Sequence, residues 1–518
     1  MSLQNIILFL STKSFSHMRL IIFFIALALS TAVLYQSIFY RWFGYETIPA
    51  PITDEFDYAW HGLSLRQYGL PIGWTILGHI YKEPKYQSRK ASLDKFGIIA
   101  DGKRIDLREF QKDRRPLIAV KEIDYTKGLE HMLFVAPFFD HPPLAGLIYS
   151  LGVGSEIKEF AEVKPAEFRR PALVLAIVTA TLLFIFICLI TNNPWIATLT
   201  VIIYSTVPTY LLATRTAFAE NAEPPFILTH LIVLFLAVRS YTEQLNKRLI
   251  LPALAFSGFV GGLAFLIKEP AIGFLLGSVA LLLINKLPKR YILVFLFALL
   301  IPIGSYLIWG LWLQKDLFLG ILQTQAGRGY FGAIKLVTMM EALKFKNFPV
   351  DGWWIWGFIS FLFISLKLKQ KKLLFLLIPL FSHFLLVLFL ASSNYPWYFL
   401  SMIPFLAGCS AILIWQIYED PKIATAYAFF FIPFSSSYYW GRVALNLEQN
   451  ITHYRYAFVI FTVLLALRLI FGKFKIVKII WFLFLFILIQ KIITFNQLFI
   501  PYLISHWGNL PIPSLPNF

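Results

Sequence analysis

Long apolar segments dominate the pattern of hydrophobic and polar positions in this chain of 518 residues. A helix needs about 20 predominantly apolar residues to cross a hydrocarbon layer roughly 30 Å thick. The segments are continuously apolar and do not alternate, which excludes the strands of a membrane barrel. The segments of suitable length are 18–40, 171–191, 195–214, 222–239, 250–267, 270–285, 291–313, 352–366, 373–391, 397–418, 423–440, 456–471 and 476–495. The pattern therefore predicts an all-α polytopic membrane protein with about 13 transmembrane helices.

Composition supports this fold class. Hydrophobic residues make up 58% of the chain and charged residues 14%, whereas a soluble domain carries about 25% charged residues. The net charge of +18 does not indicate nucleic acid, because Lys and Arg concentrate in the cytoplasmic loops of membrane proteins. Cys188 and Cys409 both lie in apolar segments, which argues against a disulfide framework or a thiolate metal site.

Loop charges predict which side of the membrane each loop faces. If Lys13 and Arg19 are cytoplasmic, four further groups of cations fall on the same side. These groups are Arg239/Lys247/Arg248, Lys286/Lys289/Arg290, Lys367/Lys369/Lys371/Lys372 and Lys473/Lys475/Lys478. We expect the first span to be an uncleaved anchor, since it lacks a small-x-small cleavage site.

The predicted spans divide the chain into six parts. They are the N-terminus and first span (1–40), a large external loop (41–170), spans two to seven (171–313), a second external loop (314–350), spans eight to thirteen (351–495) and an external tail (496–518). The first loop carries a mixed-charge insert and then an apolar stretch, 142–152, that is too short to span and predicts an interfacial helix. The second loop also predicts an interfacial helix.

Three carboxylates stand in four residues just after the first span, in the sequence TDEFDYA (53–59). Loop carboxylates are commonly only solvated charges. Beside apolar aromatic residues, however, desolvation raises the pKa of a carboxylate and makes it a usable general base. If the segment is helical, Asp54 and Asp57 share a face with Tyr58, while Glu55 points elsewhere.

A histidine precedes two prolines in the sequence DHPPL (140–144). The proline pair favours a helix start directly after His141. The positive end of that helix, together with an imidazolium, suits a phosphate group. The alternative is that His141 is an ordinary surface residue.

Two further groups of charges lie in predicted external turns. Arg215 stands close to Glu220 and Glu223, where it could bind a ligand or simply pair with a glutamate. Lys268 is followed by Glu269 and stands at the end of a predicted span, where a lysine commonly reaches back to the interface.

Tyr395 and Tyr398 lie in another predicted external segment. All five groups therefore fall on one predicted side of the membrane, which fits an anionic lipid head group and a polar acceptor. His230 and His383 lie inside predicted spans; ionisable residues there are candidates for function, but we expect these two to be buried, hydrogen-bonded side chains.

Several motifs resemble those of GT-C membrane glycosyltransferases, in particular the protein mannosyltransferase-like group that includes the lipid A aminoarabinose transferase. They are DE-x-x-YA (54–59), HPPL (141–144), EFRRPA (167–172), Arg215 with Glu220, LAFLIKEP (263–270) and Tyr395-x-x-Tyr398. The resemblance covers about residues 20–410 and implies the GT-C fold. It also implies transfer of a sugar from a polyprenyl phosphate to an acceptor on the external face of the plasma (inner) membrane, with inversion at the anomeric carbon.

The resemblance implies roles for individual residues. Asp54 would be the general base, with Glu55 orienting or assisting it. His141 would face the lipid phosphate. The other residues expected to bind substrate are Tyr58, Arg215, Glu220, Lys268, Tyr395 and Tyr398.

The chain also departs from the family pattern. The insert at 77–139 is longer than expected, and Asp57 is unusual at its position. Glu269 stands where relatives commonly have Gly, so Lys268 could pair with its neighbour instead of a phosphate.

A secondary transporter or lipid flippase is the main alternative function, although no repeat or pair of interrupted helices supports it. A third interpretation is a membrane scaffold, for which Asp54 would be dispensable. A divalent cation bridging Asp54, Glu55 and the phosphate stays open. The acceptor is also open, whether protein, lipid or glycan; membrane lipids are expected partners and nucleic acid is not.

Overall fold

The computed structural model describes residues 17–49, 51, 53–86, 88–94, 97–105, 112, 114–120, 133–157, 162–327, 351–366, 370–389, 396–447 and 451–506. The helices before the sheet are α1 (His17–Trp42) and α2 (Thr53–Tyr68), and α3 (Gly78–Tyr81) follows the first strand. After the sheet come α4 (Pro143–Ser150), α5 (Pro165–Thr191), α6 (Pro194–Thr206), α7 (Pro208–Ala213), α8 (Ala219–Thr242), α9 (Ile250–Ile267), α10 (Ile272–Ile284) and α11 (Lys289–Gly327). The remaining helices are α12 (Gly352–Ser365), α13 (Leu374–Phe389), α14 (Ile403–Glu419), α15 (Ile423–Phe429), α16 (Ser435–Ala444), α17 (Thr452–Ile470) and α18 (Lys475–Ser505).

The predicted class of a polytopic helical membrane protein is confirmed. Within the described ranges, eight helices are long and apolar enough to cross a membrane, and four shorter apolar helices accompany them. Each of the thirteen predicted spans coincides with helical structure. The count of thirteen crossings itself stays a prediction.

Three helical segments differ from the expected boundaries. Helix α11 continues past the predicted span to Gly327, with a kink at Gln314. The segment predicted as one span at 423–440 is α15 and α16 joined by a π-helical turn, Phe430–Phe434, which contains Pro433. Helix α18 runs ten residues beyond the expected end at 495. The predicted interfacial helix in 314–350 falls largely on residues outside the described part, as does most of the tail.

The large first loop contains a six-stranded sheet that the sequence did not predict. Its strands are β1 (Gly73–Thr75), β2 (Arg89–Asp94), β3 (Gly97–Ala100), β4 (Lys103–Arg104), β5 (Leu117–Val120) and β6 (Leu133–Ala136), in the order β1-β6-β5-β2-β3-β4. All pairs are antiparallel except β2 with β5. Strands this short give almost no periodic signal. Five of the six strands, β2 to β6, lie within the insert.

The sheet also connects the acidic motif on α2 with the DHPPL motif before α4. Strand β1 follows α2 closely, and β6 leads directly to the segment before α4. The two strands pair side by side, with Trp74 opposite Phe134. The pairing of β1 with β6 thus holds the end of α2 close to the start of α4.

Helices α2 and α4 cross at a pair of glycines. A Cβ atom on Gly62 would meet the carbonyl oxygen of Gly146 at 1.9 Å, and one on Gly146 would meet the carbonyl oxygen of Tyr58 at 2.8 Å. Only a residue without a side chain permits this approach. The predicted helix at 142–152 is therefore present, and its close packing on α2 brings His141 towards the acidic motif.

Candidate active site

The neighbouring acids Asp54 and Glu55 of helix α2 have different surroundings. Asp54 and Tyr58 face Lys268, which lies at the end of α9. Glu55 points to Arg169 on α5. This division follows the helical periodicity that the sequence predicted.

Lys268 forms the centre of the first group. Its ammonium donates to Glu220 Oε1 at 2.6 Å and to the Tyr58 hydroxyl at 3.3 Å. It also lies over the ring of Tyr398, 4.7 Å from the ring centroid, a cation–π arrangement. The pair is buried, with the two side chains 4% and 2% exposed. Lys268 therefore pairs with Glu220, and not with its neighbour Glu269 as the sequence left open.

Asp54 lies at the edge of this group and is partly exposed. Burial raises the pKa of Asp54 to about 6, an effect to which the negative charges of Glu220 and Glu55 add. The positive charge of Lys268 acts in the opposite direction. A carboxylate in this range is ionised at neutral pH and retains enough basicity to accept a proton.

His141 lies directly before α4, as its two prolines predicted. Its ring packs on that of Tyr58, with 5.2 Å between centroids. The preceding residue fixes its position: Asp140 accepts hydrogen bonds from the Thr75 hydroxyl at 2.5 Å and the Tyr81 hydroxyl at 3.3 Å.

We call Asp54, Tyr58, His141, Glu220, Lys268 and Tyr398 the Lys268 cluster.

Asp57, the unusual acid of the motif, connects α2 to the sheet. Its Oδ1 accepts a hydrogen bond from the backbone N–H of Trp74 at 2.7 Å. Burial raises the pKa of Asp57 well above its usual value, although this hydrogen bond opposes the rise. The unusual Asp57 therefore has a structural role, because it holds strand β1 against α2.

Glu55 forms a bidentate ion pair with Arg169. The guanidinium Nε and Nη2 lie 2.8 Å and 2.5 Å from the two carboxylate oxygens. The backbone N–H of Ala217 donates to the same carboxylate at 2.7 Å. Arg169 also donates to the carbonyl oxygens of Tyr45 and Pro49. This network joins the segment from the end of α1 to the start of α2, the first turns of α5 and the turn before α8.

Arg215 lies near this network. It is fully buried and donates to the carbonyl oxygen of Phe43 at 2.5 Å. Burial lowers the pKa of Arg215 to about 9, and the charges of Arg169 and Arg41 act in the same direction. In the described part of the chain it contacts neither Glu220 nor Lys268, so the suggested Arg215–Glu220 pair is not formed.

The structure brings together most of the predicted substrate-binding residues, in the Lys268 cluster. Arg215 lies apart from them, and Tyr395 lies outside the described residues. His230 is hydrogen-bonded to Ser257 and Ser278, as expected for a buried histidine. His383 likewise contacts Ser401 and the carbonyl oxygen of Pro270.

Sequence reasoning missed the roles of Arg169 and Asp140, although both stand in segments that the motifs include. Arg169 holds Glu55, and Asp140 fixes the segment before α4. An arginine at the start of an apolar helix and an aspartate before a proline pair were the available signals. Their partners are more than 50 residues away in the chain, so spacing alone could not identify them.

Among the described residues, no group of three or more His, Cys, Asp and Glu side chains is arranged to hold a metal ion. Two carboxylates of α2 already have other partners: Glu55 is paired with Arg169, and Asp57 accepts a hydrogen bond from the backbone of Trp74.

Comparisons with solved structures find distant likenesses. ArnT from Cupriavidus metallidurans bound to undecaprenyl phosphate is 12% identical, with 93% of this chain and 76% of that chain covered and a TM-score of 0.48. Its apo state gives the same identity and coverage with a TM-score of 0.45. The Archaeoglobus fulgidus oligosaccharyltransferase in complex with Zn and sulfate is 13% identical over 57% of this chain and 42% of that chain, with a TM-score of 0.33.

A family comparison gives a more local result. No curated protein sequence matches the chain. Residues 140–309, about a third of the chain, match the model of the dolichyl-phosphate-mannose-protein mannosyltransferase family. This segment contains His141, Glu220 and Lys268 of the site. The resemblance that the motifs indicated is thereby confirmed over these residues.

Proposed function

We propose that this protein is a glycosyltransferase that moves a hexosyl or pentosyl group from a polyprenyl-phosphate-linked donor to an acceptor hydroxyl. The observation that carries the proposal is the gathering of Asp54, Lys268 and His141 around one tyrosine, Tyr58. The match of residues 140–309 to a mannosyltransferase family supports the same reaction class. We place the site on the external face of the plasma (inner) membrane, following the loop charges.

Asp54 is the general base of this reaction. Its carboxylate removes the proton of the acceptor hydroxyl while the hydroxyl oxygen bonds to the anomeric carbon. The bond from that carbon to the phosphate oxygen breaks, and its electron pair stays on the polyprenyl phosphate. A single displacement of this kind inverts the configuration. A positioned base typically contributes about 10²–10⁴-fold to the rate.

Lys268 and His141 receive the phosphate. Charge develops on the leaving oxygen in the transition state, so cations held in a site of low dielectric stabilise it more than the ground state. In the free protein the Lys268 ammonium is engaged by Glu220. The incoming phosphate therefore shares or replaces Glu220 at the lysine, and Tyr58 and Tyr398 keep the ammonium in place.

In this proposal Glu55 is a positioning residue, which does not contact the substrate. Both of its oxygens are occupied by Arg169, and one also by the N–H of Ala217. The pair fixes the first turn of α2 and with it the neighbouring Asp54. We assign Arg215 to the same supporting network, and not to the phosphate pocket, because it lies beside Arg169.

Affinity for the donor comes largely from its lipid tail. The helices around the site expose apolar side chains, including Phe297, Leu300 and Ile308 on α11. Each buried CH₂ group of a lipid contributes about 0.8 kcal/mol. The polar site is then free to select the sugar and the acceptor.

A transporter or flippase draws less support. Such proteins place ionisable groups near the bilayer midplane, along the path of the substrate. The deeper histidines, His230 and His383, are instead each held between two hydrogen-bonding partners. A divalent cation at Asp54 remains a separate proposal, which a chelator titration of the purified protein tests.

The function is tested by a transfer assay in proteoliposomes with a panel of polyprenyl-phosphate sugars and with protein, lipid and glycan acceptors. We expect at least one donor to yield product and free polyprenyl phosphate. Binding of the donor should weaken in His141→Ala and should fall as the pH rises from 5.5 to 8. A protein that binds no polyprenyl phosphate and transfers no sugar would overturn the proposal.

A further inference from the structure

One end of the sheet in the first loop gathers cations from separate segments of the chain. Strand β2 begins with Arg89 and Lys90, and it pairs in parallel with β5 so that Arg89 lies opposite Leu117, the first residue of β5. Arg114 and Arg115 come just before β5. Because parallel strands start at the same end of a sheet, these four cations lie at one end.

The hairpin of β3 and β4 adds a further cation to this end. Strand β3 pairs with β2 so that Ala100 lies opposite Ala91. Strand β4 pairs with β3 so that Lys103 lies opposite Ala100. Lys103 therefore stands level with the start of β2. Asp101, in the turn between β3 and β4, is the acid that the structure describes on this end of the sheet.

We call these five cations the basic end of the sheet. They are Arg89, Lys90, Lys103, Arg114 and Arg115.

Three side chains of the basic end are exposed, those of Lys90, Lys103 and Arg114. None of the three forms an ion pair with another described residue. Exposed cations of this kind are commonly only solvated, so their charge alone does not identify a partner. Their position relative to the membrane helices does.

The basic end is fastened to helix α11 on both sides of its kink. The side-chain amide of Gln314 donates to the carbonyl oxygen of Arg114 at 2.7 Å. The Arg114 guanidinium lies over the ring of Trp312, 5.1 Å from the centroid, a cation–π arrangement. Tyr86, three residues before β2, packs against Gly320, where an added Cβ atom would lie 2.2 Å from the tyrosine hydroxyl. These contacts place the basic end beside α11.

This part of α11 has the features of a membrane–water interface. Helix α11 is one of the helices long and apolar enough to cross a membrane. Ile308 and Trp312, one turn apart and so on the same face, are 70% and 53% exposed. Exposed Lys315 and Asp316 follow them. An exposed apolar face that ends in a tryptophan and then in charges is typical of a helix that leaves the lipid, because tryptophan collects at the level of the head groups.

We propose that the basic end binds the anionic head groups of phospholipids in the leaflet that it faces. Arg114 rests on the tryptophan at the end of the lipid-facing side of α11, which favours lipid over a soluble anion. A single Lys or Arg near an anionic surface strengthens association about fivefold. Binding would seat the sheet on the bilayer, and β6 of the same sheet leads to the segment of His141. The proposal does not depend on sugar transfer.

Local cross-linking to lipid tests the proposal. The full chain is placed in nanodiscs of phosphatidylcholine that contain a trace of photoactivatable phosphatidylglycerol or, in a parallel sample, of photoactivatable phosphatidylcholine. Mass spectrometry then measures the labelling of peptides from 89–104 and 112–120. We expect phosphatidylglycerol to label them about fivefold more or better at 0.1 M salt. The excess should vanish at 1 M salt, where the screening length falls to about 3 Å.

The triple variant Lys90→Gln/Lys103→Gln/Arg114→Gln should lose most of this excess. These side chains are exposed, so we expect the variant to fold as the wild type does.

The variant Lys286→Gln/Lys289→Gln/Lys422→Gln is the matched control, because it removes the same charge from exposed positions outside the sheet. It should keep the excess at the basic end. Equal labelling of the wild type by the two lipids would overturn the proposal. So would an excess that survives the triple substitution or 1 M salt.

Discussion

Lys268 and Glu220 form a buried ion pair, 2.6 Å long, between two parts of the chain that are 48 residues apart. The Tyr58 hydroxyl accepts a hydrogen bond from the same ammonium. Removing two charges from water is costly unless they are paired and hydrogen-bonded. The pair therefore fixes the ends of α8 and α9 against α2, and it sets the electrostatic potential at Asp54.

The first prediction concerns pH. Because burial raises the pKa of Asp54 to about 6, the general base is protonated below pH 6 and ionised above it. We expect kcat/KM for sugar transfer to rise with pH through an ascending limb near pH 6. A pH–rate profile on the purified protein checks this. A limb near 4, the ordinary value for aspartate, would contradict the desolvated setting of Asp54.

Glu220→Gln should shift that limb. The negative charge of Glu220 raises the pKa of Asp54, so its removal should move the ascending limb to lower pH. The same change frees the Lys268 ammonium, and binding of undecaprenyl phosphate should tighten. Glu243→Gln, in an exposed pair with Arg239, is the control and should change neither property. A limb that stays in place would show that Glu220 and Asp54 are not coupled.

Arg169→Gln should destabilise the protein strongly. The change leaves the buried carboxylate of Glu55 without its cation, and breaking such a pair costs about 3–5 kcal/mol. Arg239→Gln removes a cation whose pair with Glu243 is 19% and 42% exposed, and should cost at most about 1 kcal/mol. Thermal unfolding in detergent compares the two variants. Equal stabilities would remove the structural role assigned to the Glu55–Arg169 pair.

The sequence predicted the parts of this account that depend on local pattern. The lengths of the apolar segments predicted the helices, and the proline pair predicted the start of α4. Helical periodicity predicted that Asp54 and Glu55 point in different directions. It did not predict the sheet, because strands such as β4, Lys103–Arg104, are too short to show alternation. It also did not identify Glu220 as the partner of Lys268, since that pairing depends on how α8 and α9 pack.

Gly146→Ala tests the helix crossing that holds the site together. The new Cβ atom would lie 2.8 Å from the carbonyl oxygen of Tyr58 and 2.9 Å from the N atom of Gly62. Backbone atoms cannot give way without moving α2, so we expect lower thermal stability and lower activity. Gly304→Ala is the control, since nothing lies within 4 Å of its added Cβ; it should be neutral or stabilising by up to about 1 kcal/mol. Similar behaviour of the two variants would contradict the tight crossing.

The most direct test of the account is the effect of Asp54→Asn on sugar transfer and on donor binding, measured on the same preparation. The amide keeps the shape of the side chain but cannot accept the proton of the acceptor hydroxyl. We predict a loss of turnover of at least about 100-fold, with affinity for the polyprenyl-phosphate sugar nearly unchanged. Turnover equal to that of the wild type would contradict the assignment of Asp54 as the base, and with it the proposed mechanism.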